Sequence, residues 1–242
     1  MNNFVRNNNK YLGFIRTSTL LIALLITFNV NAADGVRFGL TVTPLITWMK
    51  PDAGKIVKGK VRAGVEYGLI FDVNVAKNYS ISSGITISMV GGNFEYQDAS
   101  LFKNRGDSNY IQNTDVRLKY QYLNIPILFK LKTNEIGYFH YFGTFGILTG
   151  FNIKARADVT VNGVTTLEKE NIGKRKGNTN LLVGKIFNLG LQVGGGFEYS
   201  LTDNTSLLVG IFYNNGFLNV VDDGDDDKIL VHAMGLRVGI LF

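Results

Sequence analysis

Eight ionisable residues lie on the glycine-bearing face of segments whose residue types alternate, and they are the side chains best placed to do chemistry. Because both signs of charge are present, the group can pair internally or line a path for ions. Charges in a narrow, dry interior must pair or carry a large desolvation cost, so we expect a network of ion pairs. Its members are Arg37, Arg62, Glu66, Asp72, Lys130, His140, Glu198 and Arg237.

Two groups of these charges are expected from their places along the chain. Arg37 begins one segment and Asp72 ends the next, so the two lie at the same level, where Arg237 of the closing segment can join them. A gated ion path is the alternative, and it needs a wider interior than about eight strands enclose. The second group lies beside two other short turns and consists of Lys130, His140 and Glu198.

Enzymatic chemistry finds little support in the residue types. The chain has no cysteine, and this excludes thiol catalysis, thiolate metal sites and a cysteine-linked lipid anchor. It has two histidines. His232 falls on the bulky row of its segment. His140 falls on the charged row, but no serine can be placed beside it from spacing. A Ser-His-acid lipid hydrolase therefore stays only as a minor alternative.

An acidic run near the end of the chain is a weak candidate for calcium binding. Hard oxygen ligands and a turn glycine, Gly224, are present, but the ligand spacing and terminal glutamate of the twelve-residue calcium loop are missing. A solvated acidic loop is the simpler interpretation. The candidate ligands are Asp222, Asp223, Asp225 and Asp227.

The segments that carry the charges have a period of two, which is typical of β-strands. In residues 228–242, bulky apolar side chains form one row, while Gly235, Arg237 and Gly239 share the other. A soluble ligand-binding barrel would point its bulky row inwards. Here arginine, glutamate, aspartate and glycine share one row, so we expect that row to fill the interior and the bulky row to face lipid.

About eight such segments follow one another, and their connections alternate strictly between long and short. This asymmetry predicts an all-β, antiparallel, up-and-down transmembrane β-barrel with short periplasmic turns and longer external loops. A soluble eight-stranded barrel is the alternative. The alternation breaks at Gly91-Gly92 and near Tyr122, which predicts β-bulges. Before the second break, we expect Tyr120 and Tyr122 to face outwards and Lys119 to face inwards.

Composition and the amino-terminal residues agree with an exported protein. The first 32 residues combine the positive charges of Arg6, Lys10 and Arg16 with an apolar run over residues 17–30, and Ala32 ends a cleavage pattern. We expect a cleaved signal peptide over 1–32 and a barrel domain over 33–242; an amino-terminal membrane anchor is the alternative. Without the leader the formal charge falls from +6 to +3, which gives no argument for nucleic-acid binding.

Several segments resemble the PorT-like outer-membrane β-barrel proteins of Bacteroidetes. The similarity is carried by Tyr-Leu-Asn-Ile-Pro-Ile-Leu-Phe-Lys at 122–130, by residues 131–138, by Gly-Gly-Gly-Phe-Glu-Tyr at 194–199, by residues 214–217, and by the last eight residues. It spans about residues 38–242 and departs at Asn124, where the family commonly carries glutamate. The resemblance implies an integral outer-membrane protein whose terminal aromatic, Phe242, is read by the barrel-assembly machinery. One branch of the family serves type IX secretion.

We therefore expect a non-enzymatic structural or interaction barrel with a lumen filled by side chains, and a PorT-like role in protein secretion as its finer form. The alternatives are a small passive porin-like channel and, with less support, a lipid-modifying enzyme. No cofactor is expected. Expected partners are the barrel-assembly machinery, other envelope proteins, and the outer-membrane lipid and lipopolysaccharide. Cations on two loops either bind the phosphates of these lipids or simply keep the loops solvated. The loop cations are Lys55, Lys58, Lys60, Lys169, Lys174, Arg175 and Lys176.

The assignment of the two rows also predicts a difference between neighbouring substitutions. Leu236→Arg, on the bulky row, should strongly destabilise a barrel in lipid. Gly235→Ser, on the inner row, is expected to cost much less.

Overall fold

The computed structural model describes residues 35–51, 56–58, 60–96, 114–161, 164–171, 183–222 and 228–242. Within these ranges the regular secondary structure is entirely β-strand. Eight long strands build the wall of a barrel. They are β1 (Val36–Pro51), β2 (Arg62–Ala76), β3 (Tyr79–Tyr96), β4 (Thr114–Lys132), β5 (Phe139–Val161), β6 (Phe187–Ser200), β7 (Ser206–Gly216) and β8 (Ile229–Leu241).

The eight strands form one closed sheet in which each strand pairs antiparallel with its neighbours in sequence. β8 returns to β1, and the last residue completes this seam. The N–H of Phe38 donates to the carbonyl oxygen of Phe242 (3.0 Å), and the N–H of Phe242 donates to that of Phe38 (2.6 Å). Closure pairs each of these eight strands with a neighbour on both sides, which is what a sheet in hydrocarbon requires. The predicted up-and-down barrel is confirmed.

The bulky row faces outwards, as expected for a barrel in lipid. In β1, the outward Leu40 and Val42 are 58% and 56% exposed, whereas the inward Thr41 and Thr43 are 3% and 0% exposed. The same contrast recurs around the barrel, where the large exposed side chains of the long strands are mostly aliphatic and aromatic. Exposure of so much apolar surface to water would be unfavourable, whereas its contact with hydrocarbon is not.

The two ends of the barrel differ in their connections. At the turn end, short links join β2 to β3, β4 to β5 and β6 to β7, and both Val36 and Phe242 lie there. At the loop end the connections are longer and carry short strands of their own. Ile56–Lys58 pairs with β3, Val164–Asn171 pairs with β5, and Val183–Gly184 pairs with Val221–Asp222.

Three rings mark the outer face near the loop end. The ring centroid of His232 of β8 lies 5.7 Å from that of Trp48 of β1 and 6.1 Å from that of Tyr213 of β7, and the Trp48 and Tyr213 centroids are 6.0 Å apart, with all three rings close to parallel. The Tyr213 hydroxyl also hydrogen bonds His232 Nδ1 at 2.9 Å. Amphipathic rings of this kind collect where a bilayer meets water. His232 thus has a place in an aromatic girdle.

The expected orientation of the first half of β4 is wrong. Val116, Leu118, Tyr120 and Tyr122 are buried inside at 0–2% exposure, and Lys119 faces outwards. β4 keeps a single phase from end to end. A register shift does occur between Gln121 and Tyr122, but the extra residue, Ile153, belongs to β5. The residue types reverse their faces here because β4 leaves the lipid, and an outer face in water again favours polar side chains.

The bulge predicted at Gly91-Gly92 is also wrong. β3 pairs with β4 in one unbroken register through both glycines. A Cβ added to Gly92 would lie 2.6 Å from Cγ of Met49. The second glycine therefore lets the Met49 side chain of β1 pack directly against the β3 backbone.

The described part of the chain holds no helix that is long and apolar enough to cross a membrane. The leader expected over 1–32 lies outside the described residues.

Candidate functional site

Four charged residues meet inside the barrel near its turn end and form what we call the turn-end cluster: Arg37, Asp72, Lys130 and Glu198. Each is an inward residue close to the end of its strand, on β1, β2, β4 and β6 respectively. Lys130 is 1% exposed, Asp72 is 0% exposed and Glu198 is 1% exposed. Two cations and two anions thus meet, and all but the partly exposed Arg37 are shielded from water.

Lys130 is the centre of the turn-end cluster. Its Nζ lies 2.5 Å from Oδ2 of Asp72 and 2.5 Å from Oε1 of Glu198. The other carboxylate oxygen of Glu198 lies 2.5 Å from Nη1 of Arg37. The ring of Phe142 covers the ammonium at 4.7 Å from its centroid. These contacts compensate the desolvation of each buried charge and join four strands across the lumen.

A second group, the central cluster, lies further from the turn end and contains Glu66, Ser88, Asn124 and Arg237. The Glu66 carboxylate, 1% exposed, accepts from Nη2 of Arg237 at 2.9 Å and from Nδ2 of Asn124 at 3.1 Å. Asn124 also donates to Oγ of Ser88 at 2.9 Å. The guanidinium of Arg237 lies over the ring of Phe212 at 4.4 Å. One charge of each sign is therefore paired and held by neutral partners.

Asn124 is the position at which the chain departs from the PorT-like pattern. A glutamate there would put a second carboxylate beside Glu66 in a buried space, which would raise the cost of ionising either group. The asparagine amide instead donates to the existing carboxylate. The alternation placed Asn124 inside, but neither spacing nor charge marked it as a partner for Glu66.

Lys130 and Glu198 pair within the group in which they were expected, whereas the other ion pairs join different partners. Arg37 and Asp72 are directly opposite each other in the register of β1 and β2, yet Arg37 pairs with Glu198 and Asp72 pairs with Lys130. Arg237 pairs with Glu66 rather than joining Arg37. Partners across the lumen have replaced neighbours along the wall because an inward long side chain reaches over the narrow interior.

Two of the eight expected residues stand outside both clusters. Among the described contacts, His140 makes no hydrogen bond or ion pair, although it lies opposite Glu198 in the β5–β6 register and is half-buried. Arg62 is at the loop end, where its Nη1 donates to Oδ1 of Asn93 at 3.3 Å. It leaves the lumen network because the pairing of β2 with β3 ends at Val65, below Arg62.

The loop end of the lumen is closed by apolar side chains rather than by charge. This apolar plug is centred on Met49, Leu118 and Ile229, which are 0–1% exposed, and Tyr120 adds a hydrogen bond from its hydroxyl to the carbonyl oxygen of Val220 (3.2 Å). Its members are Met49, Val116, Leu118, Tyr120, Tyr122, Ala155, Ala157, Val220, Ile229 and Val231.

A polar cavity of about 40 Å³ lies between the apolar plug and the central cluster. Asn188 and Asn214 line it, and the side-chain oxygen of each is buried without a protein partner. The hydroxyl of Tyr122, which also lines the cavity, is likewise buried without a protein partner. A space of this size holds a few water molecules, which would satisfy these groups. These residues were not singled out from the sequence, since amides and hydroxyls on an inner row carry no distinctive spacing.

The remaining expected site residues have limited structural description. Asp222 contributes its backbone to a short strand, and Asp223, Asp225 and Asp227 lie outside the described residues. Within the described ranges no group of three or more histidine, aspartate or glutamate residues is arranged to hold a metal ion. Phe242 pairs with β1 through its backbone and exposes 57% of its surface outside the barrel.

Comparison with known proteins gives one match that covers most of the chain. A family model described as "Outer membrane protein beta-barrel domain" matches residues 27–222. No curated protein matches the sequence.

Solved structures of low similarity accompany this match. Neisserial surface protein A is 14% identical, with a TM-score of 0.42, over 84% of this chain and 95% of its own. OprG from Pseudomonas aeruginosa is 13% identical, with a TM-score of 0.41, over 86% and 96%. The outer membrane protease OmpT from Escherichia coli is 11% identical, with a TM-score of 0.43, over 87% and 97%.

Proposed function

The chain belongs to the family of outer membrane β-barrel domains, and from this premise we propose that it is a non-enzymatic barrel that presents its loops to partners and does not conduct. The outer membrane is its location. The lumen then serves as a structural core that holds eight strands in register. Function is carried by the ends of the barrel, where the chain meets other envelope components.

The observation that carries this proposal is the closure of the lumen at several levels. Near the turn end, Lys130 is bonded to carboxylates on two other strands, and its ammonium is covered by Phe142. Near the loop end, the apolar plug fills the interior with side chains that are almost fully buried. An ion would have to separate desolvated charge pairs and then cross an apolar layer, and both steps are unfavourable.

Purified protein in planar bilayers is expected to show no steady nanosiemens-scale current steps in molar potassium chloride. The paired charges leave no continuous water path, so only brief, small events should appear. A general porin measured in the same bilayers provides the positive control. Steady steps from the unmodified barrel would favour the passive-channel alternative and would contradict the filled lumen.

A role in protein secretion, as in one branch of the PorT-like proteins, is the finer form of this proposal. The filled lumen makes passage of cargo through this barrel impractical, so such a role would depend on contacts made at its ends. Ile186 is 71% exposed at the loop end, and Ile136 is 61% exposed in the turn between β4 and β5. Single apolar side chains in these positions are suitable sites for contact probes.

A photo-crosslinking amino acid at position 186 is expected to join the barrel to a specific envelope protein in living cells, because the loop end faces the partners. The same amino acid at position 136 is the matched control at the opposite end. Mass spectrometry of the adducts identifies the partner, and a secretion component would support the PorT-like role. Adducts from position 136 alone would contradict an interaction role for the loops.

A further inference from the structure

The outer face of β4 and β5 carries a row of cations immediately beyond the lipid-facing surface at the loop end. We call this the outer cationic row: Arg117, Lys119, Lys154 and Arg156. All four side chains point outwards and are half-buried or exposed. Towards the turn end, Gln121 follows on β4, and the outward residues after it are apolar, with Leu123 on β4 and Ile153 and Phe151 on β5. The row therefore lies at the level where lipid headgroups begin.

The register places like charges side by side in this row. Lys119 lies directly opposite Arg156, and Gln121 lies opposite Lys154. Like charges at directly opposite positions of neighbouring strands destabilise a sheet. An anion bound between them would relieve this repulsion.

The acidic side chains that the structure describes on this face compensate only part of the positive charge. Asp158 lies opposite Arg117, and its Oδ2 forms an ion pair with Nζ of Lys119 at 2.9 Å. Asp115 is exposed near the loop end of β4. Arg62 adds a fifth cation from β2 through its contact with Asn93. It lies beyond the apolar surface, where burial and then the charge of Arg117 lower the pKa of its guanidinium. Five cations thus face two described carboxylates.

A groove of about 320 Å³ runs beside the row. Its lining includes the cations Arg62, Lys119, Lys154 and Arg156, the neutral polar Gln121, and the apolar Ala63 and Met89. Met89 is 44% exposed and lies towards the lipid-facing surface. The volume is at the lower end of the range for pockets that hold organic ligands, about 300–1,000 Å³. The cationic part of the lining suits an anion, and Met89 suits the start of an acyl chain.

We propose that this groove binds the phosphorylated headgroup of a glycolipid in the outer leaflet. The phosphates would lie between Lys119, Lys154 and Arg156, where charge-assisted hydrogen bonds are strong. The acyl chains would continue over Met89 onto the apolar wall. Lysines and arginines on the connecting loops had been expected to meet such phosphates; of these, Lys60 is exposed, and the other side chains are not described. The strands offer a rigid site instead.

The test measures binding of a diphosphoryl glycolipid to the full-length barrel in neutral detergent micelles. The double variant Lys154→Ala/Arg156→Ala is expected to lose at least tenfold in affinity, because two phosphate contacts are removed. Lys50→Ala/Lys77→Ala removes two exposed lysines that do not line the groove and should bind like the parent. Dephosphorylated glycolipid should bind parent and variant equally weakly. Unchanged affinity in the first variant would overturn the proposal.

Two further experiments ask whether the bound phosphate belongs to a lipid or to a free anion, and whether the row has only a structural role. Inorganic pyrophosphate should not match the glycolipid in raising the melting temperature; equal stabilisation would assign the groove to a free anion. Arg156→Glu should raise the melting temperature without lipid, since it creates an opposite-charge pair with Lys119, and should abolish glycolipid binding. A lowered melting temperature with intact binding would make the row a structural element and would overturn the lipid site.

Discussion

Lys130→Met is expected to lower the free energy of unfolding by about 3–5 kcal/mol, the cost of breaking a buried ion pair. The variant keeps a long side chain but leaves the carboxylate of Asp72 buried without its cation. It also removes one of the two cations bound to Glu198. Urea unfolding of the refolded barrel in micelles, followed by fluorescence of the only tryptophan, Trp48, measures this loss.

The matched control for Lys130 is Lys119→Met, which breaks an ion pair on the outer face. That pair has side chains 41% and 14% exposed, so we expect a loss of about 0–1 kcal/mol. A second comparison adds Asp72→Asn to Lys130→Met. Because the double variant no longer buries an unpaired charge at position 72, it should recover part of the stability. Equal losses at positions 130 and 119 would show that the turn-end cluster is not a buried structural network.

Leu236→Arg is expected to destabilise the barrel by about 2–4 kcal/mol, the range for arginine on the lipid face near the bilayer midplane. Leu236 is 45% exposed on the outward row of β8, opposite Ile211 of β7 and far from both ends of its strand. Its replacement would place a guanidinium in hydrocarbon. Unfolding in lipid vesicles by urea provides the measurement.

Val75→Arg is the matched control for depth, since Val75 lies on the same outer face but at the turn end of β2, with 68% exposure. Arginine near an interface costs about 0–1 kcal/mol. If Val75→Arg proved as costly as Leu236→Arg, the position of the bilayer on the barrel would be wrong.

The neighbouring substitution Gly235→Ser does not provide a neutral control, and its expected small cost is wrong. A Cβ at this position would lie 2.6 Å from Cδ2 of Leu45, 2.7 Å from Cγ2 of Thr43 and 2.9 Å from the carbonyl oxygen of Pro44. Crowding of this kind costs about 1–3 kcal/mol. The expectation considered only which face Gly235 lies on, whereas side chains of β1 pack directly against this glycine.

Much of the barrel was predictable because its rules are local. Alternation in β1 and β8 distinguishes two faces, and the charges and glycines on one of them identify the inner face. The number of alternating segments predicted the strand number, and the connection lengths predicted the difference between the ends. The same alternation placed Glu66, Asp72, Lys130 and Glu198 inside without any knowledge of their partners.

The choice of ion-pair partners could not be derived in this way. Arg37 and Asp72 are adjacent in the wall, but adjacency along a sheet does not measure distance across a closed lumen. The curvature of the barrel and the length of each side chain bring Asp72 to Lys130 and Arg37 to Glu198. These contacts join strands that are not neighbours, so no linear pattern records them.

The alternation of residue types, together with the alternating lengths of the connections, was sufficient to predict a barrel with its bulky row in lipid. The folded barrel was needed to show where that rule ends. In β4 the apolar row faces inwards from Val116 to Tyr122 and outwards from Leu123 to the turn end, although the backbone keeps one phase. A period of two says that faces alternate, but the solvent outside each face sets which residue type is stable there. That solvent changes from hydrocarbon to water within a single strand.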